Sequence, residues 1–329
     1  MRLFDAFHTH GKMTEGKKNR ATVCETSAIH EGDAFKLLDN IPDGSVKLIL
    51  SSPPYNIGKS YERDLFKSQS DYRVWMKRFI RKLVKKLRPD GHICWQVGNH
   101  VSNGTFEPLD YLFHPIFVER GCKLRNRIIW TFNFGLHAQQ RFSGRYETLL
   151  WFTRSDDYSF NLDPVRVPQL YPGKRHSSFK GERAGQPSGN PLGKNPSDFW
   201  QFDPTGAFIT DPVWNIPNVK ANHPEKVDGH PCQFPSEVAD RCILAMTNPG
   251  DIVLDPFVGT GTAVICAEGR SRVGVGFELD SGHASDASER LDRFRRGDLP
   301  LRWAGSPPVT PNRADKVARV PDEWLEAAE

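Results

Sequence analysis

The chain has 329 residues, 38% of them hydrophobic and 26% charged, which suits a soluble globular protein with one large domain and an insert, or two domains. Its formal net charge of +4 permits a polyanionic partner without requiring one. No run of about 18 apolar residues is present to span a membrane, the six cysteines form no C-x-x-C pair that would suggest a zinc site, and the polar N-terminus lacks the apolar stretch of a secretory signal, so a cytoplasmic location is expected.

Residues 1–28 read as a flexible N-terminal arm. From 29 to 155 strand and helix patterns alternate. "SVKLILSS" (45–52), "GHICWQVGN" (91–99), "RNRIIWTFN" (125–133) and "YETLLWFTR" (146–154) are strand candidates, and 71–88 is a helix. Such alternation predicts an α/β fold, a mostly parallel sheet with helices on both faces. The helix holds eight basic side chains and no acid over residues 73–88, with Met76, Phe79, Ile80, Leu83 and Leu87 at helical spacing. It is amphipathic, and its basic outer face reads as solvated.

Residues 156–224 change texture: ten of the 25 prolines and six of the 27 glycines fall here, with little periodicity. This stretch reads as a loop-rich insert. Between 165 and 197 it carries Arg166, Lys174, Arg175, Lys180, Arg183 and Lys194 against one acid, Glu182, with Tyr171, His176 and Phe179 among them. Regular structure returns over 225–298. "PSEVADRCILAMT" (235–247) is a helix with Ser236 as a candidate N-cap. A strand at 252–255, a glycine turn, a helix at about 261–269 and a strand at 273–278 follow. Residues 299–329 read as a polar tail, with a short helix at 321–329.

Two stretches carry chemistry. In the βαβ unit, Gly259 and Gly261 allow a tight turn and close approach to a ligand. Glu278 closes the second strand nineteen positions after Gly259, where a carboxylate can bind ribose hydroxyls. The dinucleotide pattern G-x-G-x-x-G is not met, because its third glycine position is Val264. A ligand with a ribose and no pyrophosphate is therefore favoured, and Asp255 at the end of the first strand can pair with a ligand ammonium. S-adenosylmethionine has both groups. The second stretch is "SSPPY", residues 51–55, at the end of an apolar strand. Proline ends a central strand because it has no N–H to give the ladder. The Ser52 hydroxyl and Pro53 carbonyl can accept from an exocyclic amino group, and Tyr55 offers a face for a planar base.

Here the chain resembles the amino-directed DNA methyltransferases, in the group whose recognition region separates the catalytic motif from the cofactor motif. Ser52, Pro53, Pro54 and Tyr55 match the catalytic motif D/N/S-P-P-Y/F. Asp255 to Thr262 match the cofactor motif D-P-F-x-G-x-G-T. "HPCQFP" (230–235) is similar to the family's H-P-T-Q-K-P, departing at Cys232 and Phe234. "GDAF" (32–35) looks like the segment whose aspartate lies near the cofactor adenine. "GKNPSDFW" (193–200) has the look of the recognition region. The resemblance covers about residues 30–290.

It implies a Rossmann-like S-adenosylmethionine-dependent methyltransferase fold with an inserted target-recognition region at 156–224. It implies cofactor contacts from Asp33, Gln233, Pro235, Ser236, Asp255, Phe257, Gly259, Thr260, Gly261, Thr262 and Glu278. It also implies contacts to double-stranded DNA from Lys174, Arg175, Lys180, Arg183 and Lys194, and no metal. A cognate restriction endonuclease and a homodimer are the protein partners it admits. "LSSPPY" is close to the cytosine-N4 form "TSPPY", so cytosine-N4 is favoured over adenine-N6. A nicotinamide-dependent oxidoreductase would need the third glycine and a catalytic His or Tyr-Lys arrangement. A non-enzymatic DNA-binding protein would leave the proline turn and the cofactor unit unexplained. An RNA or protein methyltransferase is the nearer alternative.

Overall fold

The computed structural model describes residues 25–56, 66, 68–102, 104–132, 137–169, 173–176, 181–200, 219, 225–227, 233 and 235–304. In chain order its elements are β1 Ala28–Glu31, α1 Ala34–Leu37, β2 Val46–Ser51, α2 Gln69–Lys86, β3 Leu87–Val97, β4 Asn99–Ser102, β5 Thr105–Pro108, α3 Leu109–Val118, β6 Lys123–Thr131, β7 Tyr146–Thr153, β8 Phe199–Trp200, α4 Ser236–Met246, β9 Ile252–Asp255, α5 Thr262–Gly269, β10 Val273–Glu278 and α6 Ser281–Arg296. Eight strands form one sheet in the order β1-β10-β9-β2-β3-β7-β6-β8, and β4 and β5 form a separate hairpin. Every neighbouring pair in the large sheet is parallel except β3–β7 and β7–β6, so β7 alone runs against the rest.

The central strands read as continuous apolar runs because both faces are covered. Ile49, Ile93, Trp95, Leu150, Phe152 and Leu254 point into a core closed by α1, α2 and α3. Their neighbours Leu48, Leu50, Cys94, Leu149, Trp151 and Val253 point into a core closed by α4 and α5. Successive strand side chains take opposite faces, so runs such as "LIL" serve two cores at once. The connection β9–α5–β10 leads one way from the middle of the sheet and β2–α2–β3 leads the other. Their reversal leaves a crevice between the carboxyl ends of β9 and β2, where open α/β sheets bind ligands. Among the described residues no helix is long and apolar enough to cross a membrane.

Several expectations are corrected. The helix expected over 71–88 starts two residues earlier and stops at Lys86, because Leu87 is drawn into β3 opposite Val46. Ser68 caps it, accepting from Asp71 N at 3.1 Å and donating to Asp71 Oδ2 at 2.9 Å. Its basic face is not simply solvated. Lys82 pairs with Asp39 at 2.8 Å, Lys86 with Asp43 at 2.6 Å and Arg73 with Glu107 at 3.3 Å, so acids from flanking segments balance the run. Ser236 is not the N-cap of α4. Pro235 holds that position, and the Glu225 carboxylate instead accepts from Ser236 N at 3.1 Å, placing a negative charge at the helix N-terminus.

The polar tail expected from 299 begins inside the protein. Arg302 is buried, its Nε lies 2.9 Å from Glu237, and Trp303 stacks under Arg270. Part of the insert is also regular: β8 joins the sheet edge beside β6, and Trp200, Val165 and Val167 are buried. The expected helix at 321–329 lies outside the described residues. Seven elements were not singled out from the sequence: β1, α1, the β4–β5 hairpin, α3, which contains Pro115, β8 and α6.

Candidate active site

The crevice opens into a cavity of about 670 Å³. The end of β2, the turn after β9, the end of β10, the start of α1 and the first turns of α2 supply its wall. Ser52, Pro53, Pro54 and Tyr55 line it together with Asp33, Gln233, Phe257, Gly259, Thr260 and Glu278. Residues from near both ends of the described chain are thus brought to one space.

The turn after β9 is held from three sides. Gly261 has φ of 81° and starts α5; a Cβ there would lie 3.2 Å from Ile29 Cδ1 and 3.3 Å from the Ala287 carbonyl. A side chain would meet both a disfavoured backbone and two neighbouring elements. Glu278 Oε2 accepts from Gly259 N at 3.0 Å, and Oε1 accepts from Asp280 N at 3.1 Å. A carboxylate has about four acceptor positions, so Glu278 keeps capacity for a further donor. The Arg290 guanidinium donates to the Thr260 carbonyl from beneath.

Asp255 is buried and does not line the cavity. Its Oδ1 accepts from Ser51 Oγ at 2.6 Å and from Phe257 N at 3.1 Å. Burial raises its pKa to about 7, with the Glu278 charge adding to the effect. Asp255 therefore ties the two turns together. The sequence reading of it as a partner for a ligand ammonium is not what this geometry provides.

Two side-chain contacts hold the proline turn. Tyr72 OH donates to the Pro54 carbonyl at 2.7 Å, and Ser52 Oγ lies 3.0 Å from Tyr55 OH. Behind Tyr55 a Cβ at Gly98 would lie 3.3 Å from the Tyr55 ring and 3.6 Å from Glu147 Oε1. A side chain there would press on the Tyr55 ring, which would have to shift by a few tenths of an ångström. Glu147 receives a hydrogen bond from Gln96, and burial raises its pKa to about 7.

Not every residue of the sequence reading reaches the cavity. Asp33 lines it while capping α1 through Phe35 N at 2.8 Å. Gln233 lines it and donates to the Glu225 carbonyl at 2.7 Å. Pro235 and Ser236 do not; Ser236 Oγ is engaged by Glu225 and by the Arg302 carbonyl at 2.9 Å. Gly261 and Thr262 lie one step behind the wall, shaping the turn. In the insert, Lys174, Arg175 and Arg183 are exposed, Lys194 is half-buried, and Lys180 lies outside the described residues.

Sequence reasoning missed Phe66, Asp71, Trp75, Asp280 and His283, all in the cavity wall. Trp75 stacks on Phe79 (centroids 5.0 Å apart, planes 11° apart), and Phe79 meets Phe257 at 4.9 Å. The available signal was Asp71 and Trp75 one turn apart at the start of α2. Among its described residues the wall carries four acids, Asp33, Asp71, Glu278 and Asp280, and neither lysine nor arginine.

The DNA methylase family N6_N4_Mtase matches residues 46–289. The chain is 42% identical over 264 residues to the Type II methyltransferase M.BglII of Bacillus subtilis, covering 80% of this chain and 68% of that protein. It is 32% identical over 274 residues to the Type II methyltransferase M.ScaI of Streptomyces caespitosus, covering 82% and 83% of the two chains. Among solved structures it resembles a DNA modification methylase of Thermus thermophilus complexed with S-adenosyl-L-methionine, with TM-score 0.53, 25% identity, and 83% and 97% of the two chains covered. The PvuII DNA methyltransferase (cytosine-N4-specific) shares the fold at TM-score 0.59 and 20% identity, over 83% and 94% of the chains.

Proposed function

This chain belongs to the DNA methylase family, and we propose that it transfers the methyl group of S-adenosylmethionine to the exocyclic amino group of a base flipped out of duplex DNA. The observation that carries this is that the proline turn and the glycine turn share one cavity, whose described wall carries four acids and neither lysine nor arginine. A dinucleotide would bring its pyrophosphate against four carboxylates. A cationic ligand with a ribose meets a complementary wall. Glu278 is the residue for the ribose hydroxyls, and the aromatic wall at Trp75 and Phe257 suits an adenine face. When bound, this cosubstrate supplies an electrophilic sulfonium methyl.

The remaining steps belong to the protein. The target base is buried in a duplex and must leave the stack to reach Ser52. Ser52 Oγ and the Pro53 carbonyl accept from the amino group, and Tyr55 presents a ring to the base. Holding both N–H bonds in acceptors leaves the nitrogen lone pair more localised and aimed at the methyl. The N–C bond forms as the S–C bond breaks, and the nitrogen then releases a proton to solvent. Positioning and charge placement supply most of the acceleration.

The serine at position 52 and the "LSSPPY" sequence favour cytosine-N4 over adenine-N6. The catalytic turn precedes the cofactor turn in the chain, with 156–224 between them as the recognition region. The Type II names of the relatives support a restriction-modification role; the proposal extends to a cytoplasmic location, with a cognate endonuclease and a second copy of the chain as candidate protein partners. Modified-base sequencing of DNA from a host expressing the chain tests this. A new modified amino base at one sequence motif is expected, and unmodified DNA would refute the reading.

A further inference from the structure

Ser52 and Tyr55 both line the cavity, and the Tyr55 phenol, 3.0 Å from Ser52 Oγ, is the one hydrogen-bond partner of that hydroxyl among the described residues. The contact spans three positions of sequence, yet it is held from outside the turn. Pro53 and Pro54 fix φ between the two residues. From α2, Tyr72 OH donates to the Pro54 carbonyl at 2.7 Å and Gln69 Nε2 donates to the Asn56 carbonyl at 2.6 Å. Tyr55 lies between these two pinned carbonyls. Asn56 has φ of 55°, a left-handed conformation that asparagine tolerates. Gly98 leaves the ring its seat at the end of β3, because a Cβ there would lie 3.3 Å from it. The fold thus delivers the phenol oxygen to Ser52.

A hydroxyl carries one proton and two lone pairs. Two arrangements therefore fit the contact. If the phenol donates, one Ser52 lone pair is used, and the serine proton competes with the incoming base for the space in front of Oγ. If Ser52 donates, its proton is committed to the phenol oxygen and both lone pairs are left for the base. The target amino group offers N–H donors, because its own lone pair is needed for the methyl. A group that brings donors selects the second arrangement. The adjacent serine is held in the same manner, with Ser51 Oγ donating to Asp255 Oδ1 at 2.6 Å.

We propose that the Tyr55 hydroxyl is a positioning group for Ser52: it accepts the serine proton and so presents the Oγ lone pairs to the target amino group. This rests on the DNA methyltransferase reading and gives Tyr55 a second role, separate from the stacking of its ring. The phenol oxygen acts through Ser52 and not on the transferred methyl. Its contribution disappears when Ser52 has no hydroxyl to aim.

The experiment is a double-mutant cycle of Tyr55→Phe and Ser52→Ala in the full chain. Single-turnover methyl transfer is measured on a duplex bearing the motif found in host DNA, with S-adenosylmethionine binding and duplex binding measured alongside. Tyr55→Phe keeps the ring. It is expected to slow transfer by roughly three- to tenfold, with both affinities within about twofold of wild type. In the Ser52→Ala background the same change is expected to slow transfer by less than about twofold. Equal rates for wild type and Tyr55→Phe would overturn the positioning role and leave the methyltransferase reading intact. Slowing that persists in full in the Ser52→Ala background would also overturn it, as an effect of the phenol on packing or on the base itself. Absence of any methylation by wild type would refute both readings.

Discussion

Ser51 Oγ donates to Asp255 Oδ1 at 2.6 Å across 204 positions of sequence, joining the strand that ends in the proline turn to the strand that ends in the glycine turn. The bond is buried at both ends. It fixes the relative position of two turns that must act on one pair of reactants. Removing the hydroxyl with Ser51→Ala is expected to cost about 1–3 kcal/mol in denaturant unfolding, because a buried acceptor loses its donor.

Asp255 also sets a pH dependence. Its carboxyl ionises near 3.8 when exposed and near 7 when folded, chiefly because burial disfavours the charge. Below pH 4 both states hold the proton and no penalty exists. As pH rises from 4 to 7 the unfolded chain releases the proton and the folded chain keeps it, so stability is lost, and above 7 the loss is constant. Both donors use Oδ1, so Asp255→Asn can keep them through its carbonyl oxygen. The variant is expected to gain stability relative to wild type between pH 4 and 7, by at most about 4 kcal/mol. Parallel unfolding curves of the two proteins across that range would contradict this.

Glu278 holds the backbone of Gly259 as well as facing the cavity. Glu278→Ala is expected to weaken S-adenosylmethionine binding by about 1–3 kcal/mol through a lost charge-assisted bond. Glu278→Gln keeps one acceptor and is expected to lose less. Calorimetry with the cosubstrate alone separates the two.

Ser52 and Tyr55 are expected to affect methyl transfer more than cosubstrate affinity. Tyr55→Ala removes stacking worth about 1–3 kcal/mol by analogy with single-strand binders. It also frees Ser52 from its 3.0 Å contact with the phenol. Ser52→Ala removes one acceptor and leaves the shape. Single-turnover rates on the identified duplex, with binding measured alongside, test both. Wild-type rates for the two variants would reduce the turn to the end of a strand.

The recognition role of the insert can be tested without breaking the core. Val167 N donates to the Lys194 carbonyl at 3.1 Å, and Lys194 N to the Val167 carbonyl at 2.9 Å, so the two ends of the loop are already paired. Replacing 169–192 with a short turn spares Val165, Val167 and Trp200. It removes Lys174, Arg175, Lys180 and Arg183. Specific DNA binding should be lost and its salt dependence should flatten, with cosubstrate binding retained. Unchanged site-specific methylation would place recognition elsewhere.

The sequence by itself determined the chemistry-bearing turns and most of the strands. Two prolines after "KLILSS" can only end a strand, and the glycines after "IVLD" can only make a tight turn, because these constraints act within a few residues. Apolar runs such as "LLWF" likewise announced strands covered on both faces. The tertiary structure alone decided what depends on partners distant in the chain. Asp255 became a buried tie and not a ligand-facing charge because Ser51 lies on the neighbouring strand. Ser236 lost its capping role to Glu225, and Arg302 left the tail for the interior, because buried polar groups are stable only when bonded and their partners come from other segments. That β7 runs against both β3 and β6 was likewise decided by the sheet, because no local pattern encodes a strand's direction.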